Sequence, residues 1–343
     1  MTGGAAGVGE DAPPPPPPVV VAVDGGGSKT DAVALTLDGE LVAHRRGPGS
    51  SPHFEGLGAS VAQVDGLVRQ VAGEHPVAHT GLYLSGLDLP VEIEQYAGAI
   101  AGLGWAAGAV VENDLYALLR AGTDSPDAVA VVCGTGVNAI GVRADGAVVR
   151  FPALGPLSGD WGGGSGLGEA VLWHAARAVD GRGPDTILVG ELLRRIGVAS
   201  VPELIEELHF GRRDSSELTA LAPAVFDAAR GGDAVAIALV DRQADEIAAF
   251  ARASLTRLGL LDRPVPVVLG GGIAQSGDER LLGGVRERLA AVAPLARLSV
   301  VDSAPIVGAA LLSLAAAGAG APALERAREA VAAAAAQAAV LVP

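Results

Sequence analysis

The stretch from Val19 to Leu37, which reads VVVAVDGGGSKTDAVALTL, constrains the fold more than any other part of the chain. An apolar, β-branched run ends in an acid, three glycines, a serine and a lysine, and a second apolar run follows immediately. This pattern predicts two strands joined by a tight glycine turn. Glycines let backbone N–H groups approach an anion closely because no Cβ intrudes. The turn is therefore either a phosphate-sized cradle or an ordinary Gly-rich hairpin.

Two charged residues of this hairpin favour the first interpretation. Asp24 stands at the end of the first strand, where a carboxylate can hold a magnesium ion directly or through water. Lys29 is the only lysine in the sequence, although Lys and Arg together number 24. A compact point charge of this kind suits a phosphate group.

The overall composition limits the classes of partner. The formal net charge of −15 argues against nucleic acid or an anionic membrane as the main partner. Cys133 is the only cysteine, which excludes a disulfide framework and a cysteine-based zinc or iron–sulfur site. Residues 1–18 lack the basic and apolar regions of a signal peptide and end in a proline run, which predicts a disordered leader. No apolar run reaches the roughly 18–20 residues of a membrane span, and we expect a soluble, cytoplasmic protein.

The pattern of the first hairpin occurs a second time. An apolar strand over Ala128–Cys133 ends in Gly134-Thr135-Gly136, and a strand over Asn138–Val142 returns. Each hairpin is followed by an Asp-Gly turn, at Asp38-Gly39 and at Asp145-Gly146, and by a third apolar segment. Helical and strand patterns alternate after each copy, so the sequence predicts a duplicated α/β core with mixed sheets.

Neither common nucleotide signature is present in the sequence. It contains no GxxxxGK[ST] motif, and no GxGxxG stands between a strand and a helix. Two facing glycine hairpins offer another way to hold a polyphosphate, with backbone donors on opposite sides of a cleft. In the second hairpin the Thr135 hydroxyl adds a donor, and Gly134 and Gly136 permit close approach.

Further candidate residues lie at strand ends and in a glycine-dense loop. Asp114 follows a short strand, with Asn113 as a candidate helix N-cap, and an acid at this edge of an α/β sheet faces the cleft. The helix N-terminus predicts an ionised Asp114 with a low pKa, unless the residue only serves the helix start. Ser85-Gly86 ends another strand and is a candidate substrate contact. Gly159-Asp160-Trp161 belongs either to a loop shaped around a ligand or to a flexible linker, and adenine could lie against Gly270–Gly272.

With these motifs the chain resembles the BadF/BadG/BcrA/BcrD-type ATPase family, in particular its N-acetylglucosamine kinase-like members. That family belongs to the superfamily of actin-like sugar kinases and heat-shock chaperones. The likeness covers Val19–Leu314. Asp24–Thr30 is similar to the first phosphate loop of the family, Gly134–Asn138 to its second, and Gly270–Gly272 to its adenosine-binding glycines.

The resemblance implies a two-lobed actin-like ATPase fold of ribonuclease H-like duplicated domains, with the ATP cleft between the lobes. It places an N-terminal lobe at residues 19–121 and a C-terminal lobe at 122–304. A helix over 305–318 would pack back towards the N-terminal lobe. Outside the resemblance, the alanine-rich composition of residues 319–343 predicts a C-terminal helix or tail.

The resemblance also implies ATP-dependent phosphorylation of an amino sugar, N-acetylglucosamine or a glucosamine-like hexosamine, with O6 as the expected acceptor. Asp114 would be the catalytic base, and Asp24 would hold Mg²⁺. Binding of ATP would involve Gly25, Gly26, Gly27, Ser28, Lys29, Thr30, Gly134, Thr135, Gly136, Asn138, Gly270, Gly271 and Gly272. Binding of the sugar would involve His53, Ser85, Gly86, Asn113, Asp114, Gly159, Asp160 and Trp161. The family also implies a homodimer, while the net charge already argues against a nucleic-acid or membrane partner.

Two departures from the family pattern concern the sugar. Such kinases usually carry an asparagine where this chain has Pro52, and the usual Gly-Asp-Glu-Gly is here Gly159-Asp160-Trp161-Gly162. The family's activators of 2-hydroxyacyl-CoA dehydratases hold an iron–sulfur cluster with two cysteines per subunit, which Cys133 alone cannot supply. Two alternatives stay open on the sequence: a nucleotide-dependent regulator without kinase activity, and an ATPase that drives a conformational change in a partner.

Overall fold

The computed structural model describes residues 15–340, with side chains up to residue 338. Most of the leader predicted over residues 1–18 and the last three residues of the chain lie outside this range. Two five-stranded sheets form the framework, and each has the same strand order along its own half of the chain: third, second, first, fourth, fifth. The duplication predicted from the two glycine hairpins is thus present in the sheet topology.

The first sheet and its helices form the N-terminal lobe. Its strands β1 to β5 are Val19–Gly25, Lys29–Thr36, Leu41–Pro48, Val77–Leu84 and Val110–Asn113. Its helices α1 to α4 are Pro52–Glu55, Leu57–Ala72, Pro90–Ile100 and Leu115–Gly122. The strands β1 to β3 are antiparallel, whereas β4 and β5 run parallel to β1. The first five residues of β1 are fully buried, because helices cover both faces of the sheet at its centre.

The second sheet forms the C-terminal lobe with a larger set of helices. Its strands β6 to β10 are Ala128–Cys133, Val137–Val142, Val148–Arg150, Pro266–Gly270 and Arg297–Val300. Its helices α5 to α11 are Gly163–Val179, Leu188–Ile196, Val201–His209, Ala222–Arg230, Ala234–Leu258, Gly272–Gln275 and Glu279–Val292. The long helix α9 begins where the Asp233 carboxylate accepts from the Ala236 N–H, and it ends at Gly259 in the left-handed conformation.

One helix boundary differs from the sequence expectation. The apolar pattern predicts that α5 begins near Glu169, but the helix begins at Gly163. The glycines of its first turns lie against other backbone: a Cβ on Gly163 would stand 2.5 Å from the carbonyl oxygen of Thr135. Close packing therefore overrides the low helix propensity of glycine.

The chain passes between the lobes twice, and the two connections lie side by side. A Cβ on Gly122, where the chain leaves the N-terminal lobe, would lie 2.9 Å from the Val301 side chain, where the chain returns. The next helix, α12 (Pro305–Ala316), packs on β1 and α4, and a Cβ on Gly308 would overlap the Ala117 carbonyl.

The Ala-rich C-terminal segment forms the helix α13 (Ala321–Val340) and docks on the N-terminal lobe. Ala327, Val331 and Ala335 are buried there against α12 and the first sheet. Within residues 15–340, no helix combines the length and the apolarity that crossing a bilayer requires.

Candidate functional site

A cavity of about 540 Å³ lies between the two glycine hairpins. Ser28 lines it from the first hairpin, Gly134 and Thr135 line it from the second, and Gly272 lines it from the start of α10. The helix α8 closes another side with apolar and charged side chains, among them Phe226. Three segments that the sequence marked separately are therefore brought to one space, large enough for a small organic ligand.

The second hairpin is shaped by glycines from three different segments. Gly271 has a φ of +87°, and a Cβ there would overlap the Cys133 carbonyl oxygen. Gly164 donates its N–H to the Gly134 carbonyl at 2.8 Å. Gly270, by contrast, is buried inside β9, and a Cβ on it would overlap the Leu118 side chain. Of the predicted adenosine glycines, Gly272 lines the cavity, whereas Gly270 packs towards the other lobe.

The first hairpin turns through Gly26 and Gly27, with the Gly26 N–H donating to the Lys29 carbonyl at 2.9 Å. Two of its side chains do not point where the sequence suggests. The Thr30 hydroxyl is fully buried and donates to the Ser50 hydroxyl at 2.7 Å, because this side of β2 faces the interior. In this conformation the Thr30 hydroxyl is therefore bonded inside the lobe, and Thr30 does not line the cavity between the hairpins.

Lys29 also lies away from the cavity between the hairpins. Its Nζ is 3.9 Å from Asp31 Oδ2, and it lines a separate cavity of about 360 Å³ with Arg46 and Asp302. In this conformation the lysine stands behind the first hairpin, so its expected phosphate contact requires the side chain to swing round.

The cationic neighbourhood of Asp31 is a feature that the sequence analysis missed. Asp31 is 1% exposed and accepts hydrogen bonds from His44 Nε2 at 2.8 Å and from Arg46 Nε at 2.9 Å. Burial alone would raise the pKa of Asp31, but these hydrogen bonds outweigh burial and lower its pKa. The signal for this cluster is the pairing of β2 with β3, in which Asp31 lies opposite Arg46 and His44 lies two residues away on the same face of β3.

Two further acids, Asp24 at the end of β1 and Asp114 directly after β5, have raised pKa values. Burial and the nearby charges of Asp114 and Asp31 raise the pKa of Asp24 well above its ordinary value. Burial and the charge of Asp88 raise the pKa of Asp114 to about 7. The low pKa expected for Asp114 from the helix N-terminus is therefore wrong, because burial and a neighbouring carboxylate outweigh the helix dipole.

The segment that follows β4 packs against the short helix α1 and the residue before it. Gly86 has a φ of +78°, and a Cβ there would stand 2.6 Å from the Ser51 hydroxyl and 3.0 Å from the His53 ring. The buried Ser85 hydroxyl finds no hydrogen-bond partner within residues 15–338. Leaving a buried hydroxyl without a hydrogen-bond partner costs about 1–3 kcal/mol of folding free energy. The Ser85 hydroxyl is therefore available to form a hydrogen bond with a ligand.

Asp88 follows the same strand and bonds to residues of both lobes. Its role was not anticipated from the sequence. Its Oδ1 accepts from Asn113 Nδ2 at 3.0 Å and from Asn138 Nδ2 at 2.8 Å. Burial raises the pKa of Asp88 to about 6. Asn138, expected to bind nucleotide, thus donates to an acid of the other lobe. Asn113 Oδ1 accepts from the Leu115 N–H at 3.1 Å, but the N-cap of α4 is Asp114 rather than Asn113, the candidate from the sequence.

One group of side chains has the spacing of a cation site. The ligand-type atoms of His53, Asp88 and Glu92 lie within 4.8 Å of one another. They are already bonded, however: Glu92 accepts from His53 at 2.7 Å and from the backbone N–H groups of Asp88 and Leu89, each at 2.8 Å. The cluster is therefore satisfied by its own hydrogen bonds.

The predicted sugar loop lies on the C-terminal lobe. Asp160 accepts from the Ser158 hydroxyl at 2.5 Å and lines a cavity of about 110 Å³ with Trp161 and Gly136, all from that lobe. The guanidinium of Arg242 stacks 3.9 Å from the centroid of Trp161. Gly159 is exposed, with a φ of +83°. Asp160 therefore belongs to a different cavity from the Ser85 and Asp114 side of the cleft.

Comparison with known proteins adds independent information. The model of the BadF/BadG/BcrA/BcrD ATPase family matches residues 21–313. An N-acetyl-D-glucosamine kinase of Dictyostelium discoideum is 27% identical over 309 residues, which cover 84% of this chain and 95% of the relative.

Solved structures show the same architecture. A protein of Chromobacterium violaceum, provisionally named an N-acetylglucosamine kinase, superimposes with a TM-score of 0.69 at 26% identity, over 86% of this chain and 99% of that one. A similarly named protein of Porphyromonas gingivalis gives a TM-score of 0.64 at 20% identity, with the same coverage, and shows the fold alone. The two-lobed actin-like ATPase fold expected from the sequence is confirmed.

Proposed function

The chain belongs to the BadF/BadG/BcrA/BcrD ATPase family, and from this premise we propose that it is an ATP-dependent kinase of an amino sugar. N-acetylglucosamine is the first candidate substrate, since a relative matched over most of both chains is an N-acetyl-D-glucosamine kinase. We place the transfer at O6 and the enzyme in the cytoplasm as a homodimer. The observation that carries the proposal is the cavity between the two glycine hairpins. Two acids at the ends of β1 and β5, Asp24 and Asp114, have raised pKa values and support it.

The nucleotide would occupy that cavity. The backbone N–H groups of the two hairpins and the Thr135 hydroxyl would hold its phosphates, while Gly272 and Phe226 would contact adenosine. The turns of the hairpins are rich in glycine, and this lets the backbone approach the phosphate oxygens.

Asp24 would hold Mg²⁺. Its buried carboxylate is destabilised by the charges of Asp114 and Asp31, and a divalent cation would relieve this repulsion. Oxygen donors are also the ligands that Mg²⁺ prefers. When bound, the ion supplies positive charge that neutralises the phosphate oxygens.

Asp114 would accept the proton of the attacking sugar hydroxyl. A pKa of about 7 suits a general base at neutral pH, since about half of the molecules then carry the ionised carboxylate, which is basic enough to take the proton. The orphaned Ser85 hydroxyl, Gly86, His53 and Asn113 would contact the sugar from the N-terminal lobe. Asp160 and Trp161 would reach it from the C-terminal lobe when the cleft closes, which would also exclude water.

A coupled ADP-release assay tests the proposal. The protein is incubated with Mg·ATP and N-acetylglucosamine, glucosamine, N-acetylmannosamine or glucose in turn. We expect sugar-dependent release of one ADP per phosphosugar, with an amino sugar as the best substrate. ADP release without sugar, or tight ATP binding without any phosphotransfer, would contradict the proposal and favour a partner-activating ATPase or a regulator.

A further inference from the structure

Asp88 stands where the two lobes meet across the cleft. It follows β4 of the N-terminal lobe, and its Oδ1 receives hydrogen bonds from both lobes: from Asn113 at the end of β5 and from Asn138 on β7. Both asparagines are buried, with 1% and 9% exposure. Buried amide donors need acceptors, so a single carboxylate oxygen here satisfies one group in each lobe.

Each asparagine is in turn fixed to a functional segment. Asn113 Oδ1 accepts from the Leu115 N–H at 3.1 Å, which holds the first turn of α4 on which Asp114 stands. Asn138 Oδ1 accepts from the Ala139 N–H at 2.7 Å, next to the second glycine hairpin. Asp88 therefore connects the turn that carries Asp114 with the strand that leaves the second hairpin.

The backbone of Asp88 is itself held from two sides. Glu92 accepts the N–H groups of Asp88 and Leu89, each at 2.8 Å, within the N-terminal lobe. Arg150 of the C-terminal lobe donates to the Leu87 carbonyl at 2.5 Å and lies 3.8 Å from Glu112. The side chain of Asp88 is thus presented to Asn138 by a fixed backbone, and a second contact between the lobes lies beside it.

We propose that Asp88 is a positioning residue. Its hydrogen bonds to Asn113 and Asn138 form a latch between the two lobes and fix the position of the Asn113–Asp114 turn relative to the second glycine hairpin. It acts through the two asparagines and touches neither nucleotide nor the transferred phosphoryl group. The role of the latch in catalysis rests on the proposed kinase function, whereas its role in holding the lobes together does not.

The test uses two substitutions and a matched control in the full-length protein. Asp88→Asn keeps an acceptor oxygen at the Oδ1 position, whereas Asp88→Ala removes it and leaves both asparagines without this partner. Asp65→Asn is the control, because Asp65 also accepts side-chain hydrogen bonds, but from Arg69 and Trp105 of the same lobe. Small-angle scattering of the ligand-free proteins measures lobe separation, and steady-state kinetics with the best sugar measures catalysis.

We expect Asp88→Ala to increase the radius of gyration and to lower kcat/KM for the sugar about tenfold to hundredfold, the scale of orphaned buried polar groups. Asp88→Asn should restore the wild-type radius and bring kcat/KM to within about threefold of wild type. Asp65→Asn should change neither. A general loss of packing would not be rescued by the change to asparagine.

Two results would overturn the latch. One is a radius of gyration for Asp88→Ala that equals that of the wild type. The other is an Asp88→Asn variant as impaired as Asp88→Ala, which would assign the effect to charge rather than to the hydrogen bonds. If the wild type phosphorylates none of the sugars, the proposed function fails, and the scattering comparison still decides whether Asp88 latches the lobes.

Discussion

The two glycine hairpins occupy equivalent places in sheets of the same strand order, yet they differ in chemistry. The first has Asp24 before its turn and Lys29 and Asp31 after it, with a base-rich neighbour strand. At the positions around the second turn stand Val132, Thr135 and Asn138, all uncharged. Both lobes thus have a glycine hairpin at the same place in the sheet, but the charged residues lie around the first hairpin.

This difference indicates a division of labour. A neutral hairpin can only offer shape and dipoles to a phosphate, whereas the charged hairpin can also bind a cation. The acids of the N-terminal lobe carry a cost, because their raised pKa values show that the folded protein disfavours their ionised forms. Three predictions test whether the N-terminal lobe carries the catalytic groups and the free-energy cost of ionising them.

The largest effect is expected for Asp114→Asn. The substitution keeps the shape of the side chain and removes the base, so phosphotransfer should fall about 10²- to 10⁴-fold. Affinity for Mg·ATP, measured by calorimetry, should change little, because the nucleotide cavity is lined by other residues. Asp65→Asn serves as the control with unchanged turnover. Near wild-type turnover of Asp114→Asn would remove Asp114 from the role of base.

A smaller effect is expected for Thr135→Val in the second hairpin. Valine has nearly the same shape as threonine and lacks the hydroxyl, so one hydrogen bond to a charged phosphate is lost. Such a bond contributes about 1.5–3 kcal/mol, and the Kd for Mg·ATP should rise about tenfold to hundredfold, with kcat nearly unchanged.

The matched control for this change is Thr256→Val, whose hydroxyl donates to the Arg252 carbonyl within α9. It should leave the Kd unaltered. If Thr135→Val abolished turnover instead, the second hairpin would be more than a neutral cradle, and the division of labour between the lobes would have to be abandoned.

The smallest effect concerns stability and pH. The pKa of Asp114 in the folded protein, about 7, lies above its ordinary value, so the unfolded chain loses this proton at lower pH than the folded one. The contribution of Asp114 to stability therefore declines as the pH rises from about 4 to about 7 and is constant above. Asp114→Asn should raise the thermal midpoint by about 3 °C at pH 8.

The same substitution should have a much smaller effect on the midpoint at pH 4, where Asp114 is protonated in the folded state and about half protonated in the unfolded chain. Differential scanning calorimetry at the two pH values measures this difference. Asp24→Asn should shift the midpoint in the same direction, since the pKa of Asp24 is also raised. A lower midpoint for both variants at pH 8 would show that their ionised carboxylates stabilise the fold.

Much of the fold could be predicted because local rules decide it. Glycines between β-branched runs specify a hairpin wherever they occur, and the duplication followed from finding the pattern twice. The start of α5 could not be predicted, since glycines have low helix propensity and only the packing of Gly163 against Thr135 explains the helix there. The docking of α13 was equally hidden, because an alanine-rich helix shows little contrast between its buried and exposed faces.

The site was predictable as far as backbone motifs reach. Gly134, Thr135, Gly272 and Ser28 do meet in one cavity. Asp88 was missed because one of its partners, Asn138, comes from the other lobe, and such a pairing has no signature in the sequence. The pKa of Asp114 was wrong for a related reason: a helix start is visible in sequence, but burial and a nearby acid are not.

The contact of Gly122 with Val301 brings both covalent tethers of the lobes to one spot, beside Val268 of β9. Two connections that meet at one point can serve as a pivot between the lobes. The glycine turn of the second hairpin lies several residues farther along β6 from this point. A small rotation of one lobe about this point would displace residues farther along the strands by a larger distance. A side chain at position 122 would overlap Val301 and Val268, which is fully buried in β9. A bulky residue there would therefore disturb the packing of both connections, although position 122 lies apart from the nucleotide cavity.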